Sequence, residues 1–331
     1  MVQPIKHLAD GKVVGPVSKL QQALERGGFA ITVQLPALFT TQARDDIEQV
    51  EIRNRLCDAV IAADAPDGAI ALGSLAYAVL LQRAGIEPVA QFSGRDRNRL
   101  ALQSEILSLS VLKIPNLLVD TRPVERASLG QNADARLVTD LNGPALLATA
   151  ARLRDEARFT SGASIKVPPV FYLGALVNLE DSLPIEELSA TQFLVTTAVH
   201  DVQRQADMLA SCWNAHADFL QTRPLLVSLP FVAGVREKDA GSLKGLKTRS
   251  PATSPPPAPT GTTGAPPKNL YLRGGERTGD QDGLYEASIQ AMVDAIKLMK
   301  KCEGVRGCNI LVERFADLAL LERAVLAISA S

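Results

Sequence analysis

The segment SGRDRN, residues 93–98, groups the charged side chains that are best placed for chemistry in this chain. Arg95 and Arg97 flank Asp96, after an apolar run and before a helical pattern. Arginines at the start of a helix suit phosphate binding, because the guanidinium group and the helix N-terminus both favour anions. Asp96 is also a residue type that caps helices, so a capped helix with two flanking arginines and no ligand explains the segment equally well.

Histidine and cysteine offer little for metal or nucleophilic chemistry. Of the three histidines, only His200, which follows an apolar run, suits a titrating role. The four cysteines have neither a CxxC pair nor a neighbouring histidine: Cys57, Cys212, Cys302 and Cys308. We therefore expect reduced, mostly buried thiols and no dedicated metal site.

The composition is that of a water-soluble globular protein with no strong electrostatic preference. The 331 residues include 35 basic and 36 acidic side chains, a net charge of −1, which gives no general attraction for nucleic acid or an anionic membrane. No apolar run is long enough to span a bilayer, and the first residues lack the apolar core of a signal peptide. We expect a cytoplasmic protein without nucleic-acid or membrane partners.

Apolar, β-branched runs alternate along the chain with segments of helical periodicity. The predicted strands are Phe29–Leu35, Cys57–Ala62, Pro88–Ser93, Asn116–Asp120, Val170–Ala175, Phe193–Thr196, Leu225–Phe231 and Cys308–Val312. The predicted helices are Val17–Arg26, Gln42–Arg55, Leu72–Ala84, Asn98–Leu112, Pro144–Arg158, Asp201–Trp213, Leu284–Cys302 and Phe315–Ile328. Near-continuous apolar strands, each followed by a helix, indicate a parallel sheet covered by helices.

Eight such strands fit a (β/α)8 barrel better than an open sheet, although periodicity alone does not separate the two. No GxGxxG motif follows the first strand, which argues against a dinucleotide-binding Rossmann half. We predict one α/β domain, a TIM barrel over residues 1–331. Residues 244–268, rich in Pro, Thr, Ser and Gly, are predicted to be a disordered insertion before the last helix–strand unit. Such an insertion is either merely tolerated or a docking segment.

The chain resembles the methylenetetrahydrofolate reductase family in four motifs: RDRN at 95–98, ALQS at 101–104, VTDLNG at 138–143 and ARLRDEARFTSG at 151–162. The likeness runs from about residue 20 to 201 and resumes in GVRGCN, at 304–309. It implies a (β/α)8 barrel with FAD at the carboxyl ends of the strands. The implied reaction is reduction of the flavin by NADH or NADPH, followed by hydride transfer to methylenetetrahydrofolate to give 5-methyltetrahydrofolate.

The resemblance also implies site residues. The flavin is expected to contact Gln91, Ser93, Arg95, Asp96 and Asp120. A reduced folate or other pterin, the expected partner, is implied to contact Gln34, Asp120 and Thr197. Association with a second copy or with a partner subunit stays open.

Several expected chemical groups are replaced in this chain. Gln34 stands where the family has a glutamate that acts as general acid, and an amide cannot deliver a proton at neutral pH. Arg122–Pro123 stands where the family has Gly-Asp, so Asp120 either substitutes for that acid or pairs with Arg122. Thr197 replaces a glutamine that holds the pterin, and residues 183–192 lack a lysine that approaches the cofactor phosphates.

Three hypotheses follow from these replacements. The first is a methylenetetrahydrofolate reductase that binds FAD in an altered way. The second is a non-catalytic family member that binds a folate or pterin or acts as a partner subunit. The third is a different pterin-dependent enzyme in which Gln34 and Thr197 face a modified pterin.

Overall fold

Parallel strands close into a barrel in the computed structural model, which describes residues 6–7, 13–14, 16–51, 57–64, 70–123, 132, 134–181, 183–231, 233 and 281–329. A short antiparallel pair, β1 (Lys6–His7) and β2 (Val13–Val14), precedes it. The barrel strands are β3 (Ala30–Gln34), β4 (Ala59–Ala62), β5 (Pro88–Phe92), β6 (Asn116–Asp120), β7 (Tyr172–Val177), β8 (Phe193–Thr196), β9 (Leu225–Phe231) and β10 (Val305–Val312). Each pairs in parallel with the next, and β10 closes the ring on β3.

Helices connect these strands. They are α1 (Lys19–Glu25), α2 (Arg44–Glu51), α3 (Ser74–Arg83), α4 (Arg99–Val111), α5 (Gly143–Asp155), α6 (Val202–Gln221), α7 (Gln281–Met299) and α8 (Leu318–Ser329), with a 3-10 turn at Phe315–Asp317 before α8. The closed ring of eight parallel strands with its helices confirms the predicted (β/α)8 barrel.

The strand predictions hold closely, since β6, β8 and β9 have the predicted bounds. The largest difference among the helices is α6, which continues past the predicted end at Trp213 to Gln221 through a non-helical residue, His216. The β1–β2 pair was not predicted, because two-residue strands are too short to show a period. The predicted insertion at 244–268 lies outside the described residues.

The helices pack on the barrel through apolar stripes, as α4 illustrates. Leu102, Ile106 and Leu109 are fully buried and recur at the spacing of one helix face. They belong to the same apolar cluster as Phe92 of β5. None of the helices in the described ranges is both long and apolar enough to cross a membrane.

The amino-terminal end of the barrel is closed by α1. Leu20 and Leu24 join the apolar cluster inside the barrel, which includes Tyr172 and Phe193 with their rings stacked 4.8 Å apart. The carboxylate of Glu87 accepts hydrogen bonds from the first two backbone N–H groups of α1, at 2.7 and 2.8 Å. The open end is therefore the opposite one, at the carboxyl ends of the strands, where barrels of this kind carry their sites.

Candidate functional site

Two glutamines point into the open end of the barrel, which we call the mouth. Gln34 ends β3 on the same strand face as Ala30, and Gln91 shares its face with Val89; both of these neighbours lie in the interior cluster. Because side chains alternate along a strand, both amides face inward. Gln91 is only 5% exposed, and neither side chain forms a hydrogen bond with any residue that the structure describes. The mouth therefore contains two amides with unused donors and acceptors.

A buried carboxylate, Asp64, holds the loop that follows β5. Asp64 comes shortly after β4 and accepts hydrogen bonds from the backbone N–H of Ser93 at 2.8 Å and from its hydroxyl at 2.9 Å. Burial raises the pKa of Asp64, and the nearby Arg97 opposes that effect by stabilising the charge. The hydroxyl of Ser93, an expected flavin contact, therefore already donates its hydrogen bond to Asp64.

Arg97 is held inside the protein. Its guanidinium group pairs with the carboxylates of Asp64, Asp96 and Glu105, and lies 5.3 Å from the centre of the Phe92 ring. These partners take up the charge and the donors of the guanidinium group. Of the two arginines considered for phosphate binding, Arg97 therefore has a structural role.

The cap of α4 differs from the predicted one. The side-chain oxygen of Asn98 accepts hydrogen bonds from the N–H groups of Leu100 and Ala101, at 3.1 and 3.0 Å. The prediction that Asp96 caps this helix is wrong, because α4 begins at Arg99 and Asp96 lies too far before it. Asp96 instead pairs with Arg97.

Arg95 lies beside the mouth and is buried, at 8% exposure. A guanidinium N–H donates to the backbone carbonyl of Asp64 at 3.5 Å, and the Arg95 carbonyl accepts from the N–H of Val138 at 3.2 Å. The turn is thereby fixed from two sides, by the residue after β4 and by the segment before α5.

Residues 138–143 pack closely against the turn that follows β5 and hydrogen-bond to it. A Cβ on Gly94 would lie 1.9 Å from the carbonyl oxygen of Leu141, so only glycine allows this approach. Arg99 donates through its backbone N–H at 2.8 Å and its Nε at 2.7 Å to Asp140, and these bonds lower the pKa of Asp140. We call Asp64, residues 93–99 and residues 138–143 together the RDRN clamp.

The four motifs of the family resemblance contact one another. RDRN and VTDLNG meet in the RDRN clamp, and Gln103 of the ALQS helix accepts a hydrogen bond from the N–H of Thr160 at 2.8 Å. Thr160 belongs to the ARLRDEARFTSG segment. The motifs therefore form two contacting pairs, one at the RDRN clamp and one between α4 and the segment before β7.

Asp120, at the end of β6, is paired with Arg122. It accepts from the backbone N–H of Arg122 at 3.1 Å, from its Nε at 2.9 Å and from a terminal guanidinium nitrogen at 2.6 Å. Of the two roles left open for Asp120, pairing with Arg122 is the one the structure displays. A ligand that used this carboxylate would have to compete with three bonds.

Thr197 lies at the mouth on the same face as Val195. Its hydroxyl donates to Asn178 Oδ1 at 3.2 Å, while Asn178 Nδ2 donates to Asp181 at 2.8 Å. Sequence reasoning missed Asn178 and Asp64. The available signal was a polar residue just after a buried apolar strand, as in VIAAD and ALVN.

The remaining polar candidates lie apart from the mouth amides. His200 is exposed and precedes Asp201, whose side chain caps α6 by accepting from the N–H of Arg204 at 3.0 Å. Burial raises the pKa of Cys57 to about 12, which keeps that thiol protonated and a poor nucleophile. In the described ranges, no group of three His, Cys, Asp or Glu side chains is placed to hold a metal ion.

The expected flavin contacts fit FAD only in part. Ser93, Asp96 and Asp120 direct their polar groups to protein partners, and the Arg95 guanidinium donates to the Asp64 carbonyl, so Gln91 is the expected contact whose side chain has no hydrogen bond to a described residue. FAD presents a diphosphate and a ribityl chain besides its ring, and each needs donors of its own. Among the described residues, the expected contacts therefore supply few unused donors for the diphosphate of FAD.

Comparison with known proteins gives a likeness of fold. No family model and no curated protein matches the sequence. A protein from Clostridium thermocellum that binds two copies of 5-methyl-5,6,7,8-tetrahydrofolic acid aligns over 95% of this chain and 99% of its own, with 12% identity and a TM-score of 0.56. A GH18 chitinase from Pseudoalteromonas aurantia aligns over 91% of this chain and 99% of its own, with 11% identity and a TM-score of 0.43. At such identities the likeness concerns the fold alone.

Proposed function

We propose that this barrel binds a reduced folate or a closely related pterin in its mouth. The observation that carries the proposal is Gln91, which is 5% exposed, faces the barrel interior and has no hydrogen-bond partner among the described residues. The amide atoms of Gln91 are not among the fully buried atoms without a hydrogen bond, so water reaches them at the mouth. A ligand with complementary donors and acceptors can replace that water and bond to Gln91 directly.

The chemistry of the two amides matches a pterin edge. A carboxamide offers one acceptor oxygen and two N–H donors. The pyrimidine ring of a reduced pterin presents a carbonyl acceptor, a ring N–H donor and an exocyclic amino donor. Gln34 and Gln91 lie on the inward faces of β3 and β5, which are separated only by β4, so they can address one small heterocycle from two sides.

Two further findings support a folate. The Clostridium thermocellum protein, which is similar in fold over nearly the whole chain, binds 5-methyl-5,6,7,8-tetrahydrofolic acid. The RDRN and VTDLNG motifs, which resemble those of methylenetetrahydrofolate reductases, meet in the RDRN clamp after β5, so that family is the one to which we propose this chain is related.

Flavin-dependent reduction of methylenetetrahydrofolate with NADH or NADPH is the second candidate function. The buried guanidinium of Arg95 beside the mouth favours it, because a cation there suits the phosphates of FAD. The amide of Gln34 at the general-acid position and the Asp120–Arg122 pair count against it. A non-catalytic protein that binds a folate, with or without a partner subunit, requires neither a general acid at Gln34 nor an Asp120 carboxylate released from Arg122.

Titration calorimetry with 5-methyltetrahydrofolate tests the first proposal. Replacing Gln91→Leu keeps the approximate size of the side chain and removes its polar atoms, so we expect binding to weaken at least about tenfold. Gln290→Leu, on the exposed face of α7, is the matched control and should bind normally. Absence of binding to any reduced folate or pterin by the unmodified protein would refute the proposal.

The visible absorption spectrum tests the second candidate. A flavin spectrum that appears with FAD and bleaches with NADH or NADPH would support reductase chemistry. Gln34→Glu should then raise turnover, because it restores a proton donor at that position. A protein that stays colourless with FAD while it binds 5-methyltetrahydrofolate would leave only the binding function.

A further inference from the structure

The start of α3 lacks the side-chain cap that four other helices have. In α1, α4, α5 and α6 a side chain just before the helix accepts a hydrogen bond from a backbone N–H of the first turn; these residues are Ser18, Asn98, Asn142 and Asp201. Before α3 stands Gly73, which has no side chain to accept one. The backbone N–H groups of Ser74, Leu75 and Ala76 therefore donate to no residue that the structure describes.

These three N–H groups lie at the positive end of the α3 dipole and are open to solvent. The first turn, Ser74–Tyr77, contains no acidic side chain that would offset the positive end. Gly73 is exposed, and a Cβ added to it would meet nothing within 4 Å. An anion can therefore approach the start of α3 across Gly73 and reach the N–H groups directly.

The hydroxyl of Ser74 is a second, independent observation at the same place. Ser74 is 1% exposed, and its Oγ is sealed from water and forms no hydrogen bond. Buried hydroxyl groups normally have a partner, so an unbonded one needs an explanation. Because the Cα–Cβ bonds of a helix tilt toward its N-terminus, the Ser74 side chain is directed to the end where the free N–H groups lie. Rotation about χ1 would let Oγ donate to an anion bound there.

The start of α3 is anchored to the loop that follows β3. The N–H of Leu72 donates to the carbonyl of Leu38 at 2.8 Å, and the hydroxyl of Tyr77 donates to the carbonyl of Pro36 at 3.4 Å. The N–H groups are therefore held in place before any ligand arrives, which lowers the entropy lost on binding. This place is in the outer helix layer on the mouth side of the barrel, apart from the inward-facing amides.

We propose that the start of α3 is an oxyanion site, in which the N–H groups of Ser74, Leu75 and Ala76 and the Ser74 hydroxyl bind a phosphate or carboxylate group. Burial and the charge of Asp46 raise the pKa of Tyr77, so a carboxylate is close to the first turn. The ligand is therefore held by several hydrogen bonds rather than by net positive charge. This favours an anion with several acceptor oxygens over a halide.

Titration of the full chain with inorganic phosphate and with acetate, at constant ionic strength and with chloride as the reference salt, tests the site. Two-dimensional NMR of the backbone amides should show saturable shifts for Ser74, Leu75 and Ala76, because these N–H groups gain an acceptor. Ser74→Ala should weaken binding about two- to tenfold, the size of one hydrogen bond. Tighter binding of phosphate than of acetate would identify a phosphate group as the ligand, and the reverse order a carboxylate.

Gly73→Asp is the competing variant. It places a carboxylate of the protein at the cap position, where the φ of −60° suits any residue, and should abolish the saturable shifts by bonding to the same N–H groups. Its melting temperature should equal or exceed that of the unmodified protein, since aspartate is a favoured cap. Ser104→Asp adds the same charge at an exposed position of α4 and should leave the shifts intact.

Three results would overturn the oxyanion site. They are the absence of saturable shifts with either anion, their persistence in Gly73→Asp, and unchanged affinity in Ser74→Ala. None of them bears on pterin binding, which we propose for the inward-facing amides of the mouth.

Discussion

The RDRN clamp and the mouth amides are adjacent parts of the barrel that use their polar groups in opposite ways. In the clamp, Asp64, Arg97 and Arg99 each bond to several protein groups. At the mouth, the side chains of Gln34 and Gln91 bond to none of the described residues. The clamp residues therefore have their hydrogen-bond partners within the chain, whereas the two mouth amides have donors and acceptors that we propose a ligand uses. The motifs that most resemble a known family are mainly of the first kind.

The largest expected effect comes from breaking the clamp at its tightest point. Gly94→Ala would place a Cβ 1.9 Å from the Leu141 carbonyl oxygen, so the backbone must move apart. We expect the free energy of unfolding, measured in urea, to fall by about 4 kcal/mol. Gly73→Ala is the control, since its Cβ would meet nothing within 4 Å. Similar free energies of unfolding for the two variants would show that the backbone of the RDRN clamp can move apart at little cost.

Removing the central carboxylate of the clamp comes next. Asp64→Ala leaves the N–H and hydroxyl of Ser93 without their acceptor and removes one partner of Arg97. We expect a loss of about 2–3 kcal/mol, because buried donors are left unpaired. Asp155→Ala, which breaks a pair with Arg154 at a carboxylate that is 53% exposed, should cost less than about 1 kcal/mol. Urea denaturation of both variants decides whether the clamp depends on Asp64.

Two buried glutamines, one bonded within the protein and one at the mouth, allow a direct test of this difference. Gln103, at 6% exposure, donates to the Arg99 carbonyl at 2.9 Å and accepts from Thr160 at 2.8 Å, whereas Gln91, at 5% exposure, has no bond to a described residue. Gln103→Leu should therefore destabilise the protein by about 1–2 kcal/mol. Gln91→Leu should be close to neutral, because its amide has no hydrogen bond to a described residue to lose. Thermal denaturation without ligand measures both, and equal losses would mean that Gln91 is structural.

The smallest effect is a difference in pH dependence. Burial raises the pKa of Asp64 in the folded protein above its ordinary value of 3.8, so the folded state keeps a proton that the unfolded state loses. The stability that this proton contributes is present below pH 3.8 and is lost as the pH rises through the folded-state pKa. The slope cannot exceed about 1.4 kcal/mol per pH unit for one carboxyl. Asp64→Asn should flatten this decline, whereas Gln91→Leu should not change it, because an amide does not titrate in this range.

The sequence predicted the fold well because its signals are local. Apolar runs such as Phe193–Thr196 and Leu225–Phe231 are buried strands whose first and last residues are clear from the sequence. Eight such strands are compatible with few architectures. The error at the start of α4 was also local: Asp96 and Asn98 are both good caps, and only the backbone geometry distinguishes them.

The site was harder to predict because its partners are distant in sequence. Nothing near Asp64 in the sequence indicates that it binds Ser93 and Arg97, more than 25 residues later. Asp120 and Arg122 are close enough for their pairing to be anticipated, and the structure forms that pair. The roles of Gln34, Gln91 and Thr197 toward a pterin, and of Arg95 toward FAD, stay predictions until a ligand is bound.

The closure of the barrel by α1 has a kinetic consequence. Leu20 and Leu24, with the stacked rings of Tyr172 and Phe193 above them, seal one end, so a molecule in the mouth has a single route in and out. Its residence time is therefore set by its contacts within the mouth and by any obstruction of that one opening.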